Sequence, residues 1–291
     1  MTVSTIAVLG AAGRTGRPLL RALAKRGARV IAISRRAGQA GVFSSHVEAR
    51  FGDLQNVDSL ANAFRGANAV HYIPPSLEAR DPEFARNIIA AAGRAGISRI
   101  VYHSVLHPYT PEMPHHLRKA GVELQLRHSP LAWVVIQPAI YAQTMLRYLD
   151  ATKGMLTPPF DTTRPFTPIH EEDLAEVAAI IHTSEGHDFA TYELAGPELL
   201  DSNAMGDRLS AVLGRPVTTR KVAVDTAHMA AALRIDSSQV RERCLMFDYY
   251  DRYGLVGNSN TLRMILGRQP ADFAAAARHS LSVQPNTSNV P

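Results

Sequence analysis

The chain has 291 residues, 46% hydrophobic and 20% charged, the usage of an ordinary globular protein long enough to bury a sizeable core. Its formal charge of +5 comes from 31 Lys and Arg against 26 Asp and Glu scattered along the chain, so no basic block argues for a nucleic-acid partner. The single cysteine, Cys244, excludes an intrachain disulfide, a multi-cysteine metal site and a dithiol redox motif. The start MTVSTIAVLGAAG lacks a secretory pattern and no later run could span a bilayer, so the expected compartment is cytoplasmic, with no membrane partner.

In chain order, short β-branched runs alternate with amphipathic helical stretches. Strands are expected at Ile6 to Leu9, Val30 to Ile33, His46 to Phe51, Ala69 to Ile73, Ile100 to His103 and Trp133 to Ile136. Pro18 marks a first helical turn, Gly27 closes the first helix, and Gly96 closes a helix running from about Pro82. This economy of short connections predicts an α/β fold, a Rossmann-type doubly wound parallel sheet, across residues 1–150.

Gly154, Pro158, Pro159, Pro165 and Pro168 then break regular structure, and a helix at Glu171 to Thr183 and a strand at Thr191 to Leu194 are expected to return to the sheet within 166–195. Segments 151–165 and 196–281 are assigned to a smaller, mostly helical C-terminal substrate lobe. It carries a strand at Val217 to Val222 and aromatic residues grouped at Phe247, Tyr249, Tyr250 and Tyr253. The polar tail 282–291 is expected to be disordered.

Gly10, Gly13 and Gly16 form G-x-x-G-x-x-G between the first strand and the first helix. In that context the first glycine allows a tight turn, the second lets backbone approach a pyrophosphate, and the third lets helix and strand pack closely. Where an NAD-binding chain would place an acid after the second strand, this one reads ISRR. Arg35 and Arg36 there, with Arg14 in the turn, point to the 2′-phosphate of NADP(H), the alternative being a solvated basic turn. Asp53 and Leu54 of FGDL suit the adenine, although Asp53 could instead cap the following helix. Thr15 in the turn, Ile73 and Pro74 after the fourth strand, Lys119, and Pro138 after the core strand at Trp133 complete the expected cofactor set.

GAAGRTG, GDL, HSVLHP, MPHHLRKAGVE, IQPAIYAQTM, TPIHEEDLAEVAA, YELAGPELL and LGRQPADF, in this order, resemble the NmrA-like branch of the atypical short-chain dehydrogenase/reductases. The resemblance implies NADP(H) as cofactor and a C-terminal lobe over the nicotinamide. It also implies one of two occupations, reductase or regulator that senses nicotinamide cofactors. Short-chain reductases use a Ser and a Tyr-x-x-x-Lys pair. Here Ser104 matches the serine and Lys119 the lysine, but His115 stands where the tyrosine would be.

Residues four apart share a helical face, so His115 and Lys119 are expected to point together, His115 as general acid or base, or else as part of the helix start. Tyr141, after Pro138, is a further proton-donor candidate, as are Tyr102 and Tyr109. Alternation places Tyr102 and His103 on opposite faces of the fifth strand. His103 and His107 lie on a strand end and a loop with no cysteine or clear carboxylate beside them, and no metal is assigned.

The leading expectation is an NADPH-dependent oxidoreductase acting on a small apolar carbonyl, quinone or conjugated compound. The alternatives are a non-catalytic NADP(H)-sensing regulator and a redox-neutral isomerase or lyase. The expected partner is a small-molecule substrate, with a homodimer as the candidate assembly.

Overall fold

The computed structural model describes residues 4–35 and 47–283. Its first strands follow the apolar runs: β1 (Thr5–Leu9), β2 (Arg29–Ser34), β3 (Val47–Phe51), β4 (Ala69–Tyr72), β5 (Arg99–His103) and β6 (Ala132–Pro138). With β9 (Ala190–Leu194) they form one seven-stranded sheet in the order β3-β2-β1-β4-β5-β6-β9, parallel from β3 to β6. The strand order reverses between β1 and β4, and ligands of such sheets bind at the carboxyl edge beside that reversal.

Local chemistry fixes the helices. In α1 (Gly16–Lys25) Leu19, Leu20 and Leu23 are buried, Arg17 and Lys25 face water, and Gly27 takes the left-handed conformation at φ 77° that ends it. Between β3 and β4 lies α2 (Val57–Phe64). Next, α3 (Asp81–Ala95) has proline and two acids in its first turn, Arg94 in its last, and Gly96 at φ 71° beyond it. α4 (Pro114–Arg127) follows β5, and α6 (Glu171–Thr183) opens on Glu171, Glu172 and Asp173. Against the sheet face bearing Tyr72 and Tyr102, α2 and α3 bury Leu60, Phe64, Phe84 and Ile88. Each such side chain contributes about 1.5–3 kcal/mol relative to exposure.

The described residues divide into two compact units. The first takes residues up to Tyr109, His115–Gln137 and Leu174–Tyr192; the second takes Thr110–Pro114, Pro138–Asp173 and the chain from Glu193. The first unit's segment through β6 ends at Gln137. Beyond β6 the backbone pairs within the second unit, Ala139 N donating to Leu194 O at 2.8 Å and Ala142 N to Ile169 O at 2.9 Å. Residues 166–173 and 193–195 belong to that unit too.

The second unit is built from the short helix α5 (Ala142–Met145), the short strands β7 (Leu149–Asp150), β8 (Met155–Leu156) and β10 (Thr218–Thr219), and five more helices. These are α7 (Ser202–Leu213), α8 (Thr226–Leu233), α9 (Ser237–Tyr253), α10 (Asn260–Leu266) and α11 (Phe273–Val283). The strand expected at Val217 to Val222 contracts to Thr218–Thr219, because only those two residues find register partners on β8. Phe160 stands at the centre of the unit, its ring 5.1 Å from Phe166, 5.7 Å from Tyr250 and 6.4 Å from Phe247, so two of the grouped aromatics are core. Ser282 and Val283 end α11, and the rest of the tail lies outside the described residues.

Candidate active site

The glycine turn is fixed by steric exclusion. Gly10 sits at φ 83°, and a Cβ there would meet Ile73 O at 2.7 Å. A Cβ on Gly16 would run into the carbonyls of Gly10 and Ala11. Gly13 donates its N–H to Gly10 O at 3.0 Å and is exposed on the outer side of the turn. No side chain caps α1: its N-cap residue Thr15 makes no cap hydrogen bond, and no acid stands in its first turn. A helix N-terminus without a side-chain cap hydrogen bond, beside a turn where Gly10 and Gly16 leave the backbone bare, fits a pyrophosphate.

Arg14 and Arg35 are exposed, Arg35 one residue beyond β2, while Arg36 lies outside the described residues. The carboxylate of Asp53 accepts from Gln55 N at 3.1 Å. The capping alternative falls to Asn56, whose side chain accepts from Ser59 N at 2.9 Å and starts α2. Leu54 packs partly buried against the core, and Ile73 and Pro74 are half-buried just past β4.

The residues matched to short-chain catalysis are engaged with groups that the sequence reading missed. Ser104 Oγ donates to Glu123 Oε1 at 2.6 Å. That same oxygen accepts from Gln137 Nε2 at 2.8 Å, and Arg127 reaches the other oxygen at 3.4 Å. Lys119 Nζ lies 3.5 Å from Asp81 Oδ2, its side chain only 12% exposed, and 5.5 Å over the ring of Tyr102. Burial lowers the Lys119 pKa, and the Asp81 charge opposes that shift.

Asp81 also accepts from Tyr72 Oη at 2.6 Å and from Tyr102 Oη at 2.8 Å. Burial, reinforced by the Asp81 charge, raises both tyrosine pKa values, so Tyr102 holds its proton on Asp81. His115 is buried against His116, ring centroids 4.6 Å apart, and the carbonyl of His107 accepts from His116 Nδ1 at 3.0 Å. Burial takes the His116 pKa down to about 4.

Tyr102 and His103 do lie on opposite faces of β5, the first bonded to Asp81, the second with its ring 6.0 Å from that of His71. Tyr109 is exposed at the end of the first unit. Pro138 is buried and Tyr141 half-buried in the second unit, where Tyr141 bridges to Ile169. Two signals pointed to the missed partners: an acid one turn beyond Lys119 on its own helix, and a polar residue, His71, inside the apolar strand AVHY.

A family described as NAD(P)H-binding matches residues 10–185. Among curated relatives, an NAD(P)H azoreductase of Xenophilus azovorans is 26% identical over 94% of this chain and 96% of its own. Quinone oxidoreductase 2 of Escherichia coli (strain K12) is 24% identical over 96% and 99%. The structure of the latter with NADPH superposes with a TM-score of 0.80 at 23% identity over 95% of this chain and 99% of that one. The negative transcriptional regulator NmrA in complex with NADP gives 0.79 at 21% identity over 97% of each chain. No described helix is long and apolar enough to cross a membrane. This chain therefore belongs to the NAD(P)H-binding family, with NAD(P)H as its cofactor, and shares its Rossmann-type fold with quinone oxidoreductase 2 and NmrA.

Proposed function

We propose that the protein is a cytoplasmic NADPH-dependent reductase of a small, apolar carbonyl, quinone or conjugated acceptor. The observation that carries this reading is the uncapped N-terminus of α1 beside a turn in which Cβ atoms at Gly10 and Gly16 would strike backbone. Two relatives aligned over nearly the whole chain are named as reducing enzymes, which supports it.

When bound, the nicotinamide supplies the hydride. Everything else falls to the chain. Backbone N–H groups at the turn would bind the pyrophosphate, and Arg35 would pair with the 2′-phosphate, a charge-assisted contact that discriminates against NAD. Asp53 and Leu54 border the adenine. Lys119, held by Asp81 above Tyr102, would orient the nicotinamide ribose, while His115, one helical turn before it, would offer a hydrogen bond to the acceptor oxygen.

A second reading draws on the engagement of Ser104 with Glu123 and of Lys119 with Asp81, which suits a protein that senses NADP(H) without turnover. Following NADPH oxidation against a panel of quinones, carbonyls and conjugated acceptors separates the two. The reductase oxidises NADPH in step with acceptor reduction and loses that activity in Lys119→Ala. No turnover, with unequal affinities for NADP+ and NADPH, would instead establish the sensor. Product formed without nicotinamide oxidation would mark a redox-neutral enzyme.

A further inference from the structure

Tyr72 and Tyr102 are register partners on β4 and β5, their rings 5.6 Å apart on one face of the sheet. Both hydroxyls converge on Asp81, a carboxylate only 3% exposed in the first turn of α3, whose positive pole also favours a negative charge there. Its Oδ1 accepts from Tyr72, while Oδ2 accepts from Tyr102 and from Lys119. With both oxygens tied, the carboxylate cannot turn away from the ammonium without breaking a bond in a buried site. The packing of two tyrosines does not call for an acid, since two phenylalanines would fill the same face with no polar group to desolvate.

Lys119 reaches this network from α4, with its Nζ over the ring of Tyr102. Among the described residues Asp81 is its one hydrogen-bond acceptor, so two of three ammonium hydrogens are left for a ligand. Burial works against the charge, and Asp81 is the strongest group that restores it. Of the other charges in reach, Arg118 on the same helix opposes it and Glu123 favours it, although Glu123 is spent on Ser104, Gln137 and Arg127. Glu78, before α3, pairs with Arg80. Burial holds His116 and His103 neutral, and does the same for His71 and His182 on the other face of the sheet, where His71 Nδ1 lies 3.1 Å from His182 Nε2. His115 packs edge-on against His116. The charge of Lys119 therefore hangs on one carboxylate.

We propose that Asp81, clamped by the Tyr72 and Tyr102 hydroxyls, is a positioning residue that keeps Lys119 protonated and presents its two remaining N–H groups to the vicinal hydroxyls of the nicotinamide ribose. The proposal rests on the reading of Lys119 as the ribose-binding residue. In this role Asp81 acts through Lys119 and not on the cofactor. A neutral amine at the same place would offer one donor fewer and no charge, so the diol would lose a charge-assisted hydrogen bond. Without the acid, the lysine would serve only below the pH at which burial strips its proton; with it, the ammonium persists through neutral and alkaline pH. The clamp serves a reductase and a sensor alike, since both must hold the cofactor.

Calorimetric titration of the full chain with NADPH, repeated across pH, tests this without requiring turnover. The parent's affinity should change little between about pH 7 and about pH 9. Asp81→Asn keeps the shape and removes the charge, so its affinity should fall as pH rises, by about tenfold, the worth of one hydrogen bond to a charged group. Adding Lys119→Arg to Asp81→Asn should flatten the profile again, because a guanidinium keeps its proton without a partner. A loss in Asp81→Asn that is equal at every pH would show a merely structural acid and overturn the proposal. Lys119→Met separates the two readings. Unchanged NADPH affinity in Lys119→Met sinks the ribose assignment and the proposal with it; weakened affinity there, beside a parent-like profile in Asp81→Asn, sinks the proposal alone. Should Asp81→Asn not fold, ¹³Cε-lysine NMR of the parent decides, with the Lys119 signal assigned by its absence in Lys119→Arg. That signal should report an ammonium up to about pH 9, and a neutral amine at pH 8 would overturn the proposal.

Discussion

The two faces of the first unit's sheet carry neighbouring residues of the same strands and solve opposite problems. On one face Tyr72 and Tyr102 give both hydroxyl protons to Asp81, which also holds Lys119. One residue away in each strand, His71 and His103 face the other side, where the His71 and His182 rings keep a nitrogen each without a partner. A satisfied buried network stays where it is, because every displacement breaks a bond in a medium of low dielectric. The half-satisfied pair has two tautomers of similar connectivity. The comparison teaches that one sheet can pair its buried polar groups fully on one face and leave ring nitrogens without partners on the other.

The sharpest way to break the comparison is Asp81→Ala, which leaves an ammonium and two buried hydroxyls unpaired. It should lower unfolding stability by about 3–5 kcal/mol in denaturant titration, the loss seen when one member of a buried pair is removed. A change near zero would mean that the network is not the anchor of that face.

The histidine face is read through pH. Because the folded pKa of His71 lies below the ordinary value of 6.5, at about 3, the unfolded chain takes up its proton first as pH falls. The stability is complete above pH 6.5 and declines toward pH 3, by about 1.4 kcal/mol per pH unit for each such histidine. His71→Leu should flatten the acid limb of stability against pH by about that slope while leaving stability at pH 8 nearly unchanged; an unaltered acid limb would show that His71 is not held neutral.

At the edge both faces share, Arg35→Ala should weaken NADPH about tenfold and leave NADH unchanged, as expected for one charge-assisted phosphate contact. Equal losses for both cofactors would move the 2′-phosphate elsewhere. The smallest effect is expected of the exposed Arg94–Asp58 pair between α3 and α2, 2.6 Å apart, where Arg94→Ala should change stability by under about 1 kcal/mol.

Much of this architecture is written locally. Apolar runs define β1, β2 and β4 to β6, the acids of Glu171, Glu172 and Asp173 start α6, and the three glycines stand where only bare backbone fits. Apart from Glu123 on the Lys119 helix, the partners of the site residues come from elements distant in sequence and were not legible. His71 and His182 are 111 residues apart, Lys119 and Asp81 38, and no local pattern signals which helix will cover which strand. Asp81 gains its three donors only after β4, β5 and α4 have packed around it.

The claim on which the rest stands is that the turn at the head of α1 grips a pyrophosphate with backbone alone. Gly13 offers a probe, because a Cβ there would meet only Gly10 O, at 3.1 Å, so that Gly13→Asp adds a negative charge at the turn once that carbonyl gives by a few tenths of an ångström. Calorimetric titration with NADPH should give one saturable site in the parent and none in Gly13→Asp, with melting temperatures within a few degrees of each other. Undiminished NADPH binding by Gly13→Asp would contradict the account.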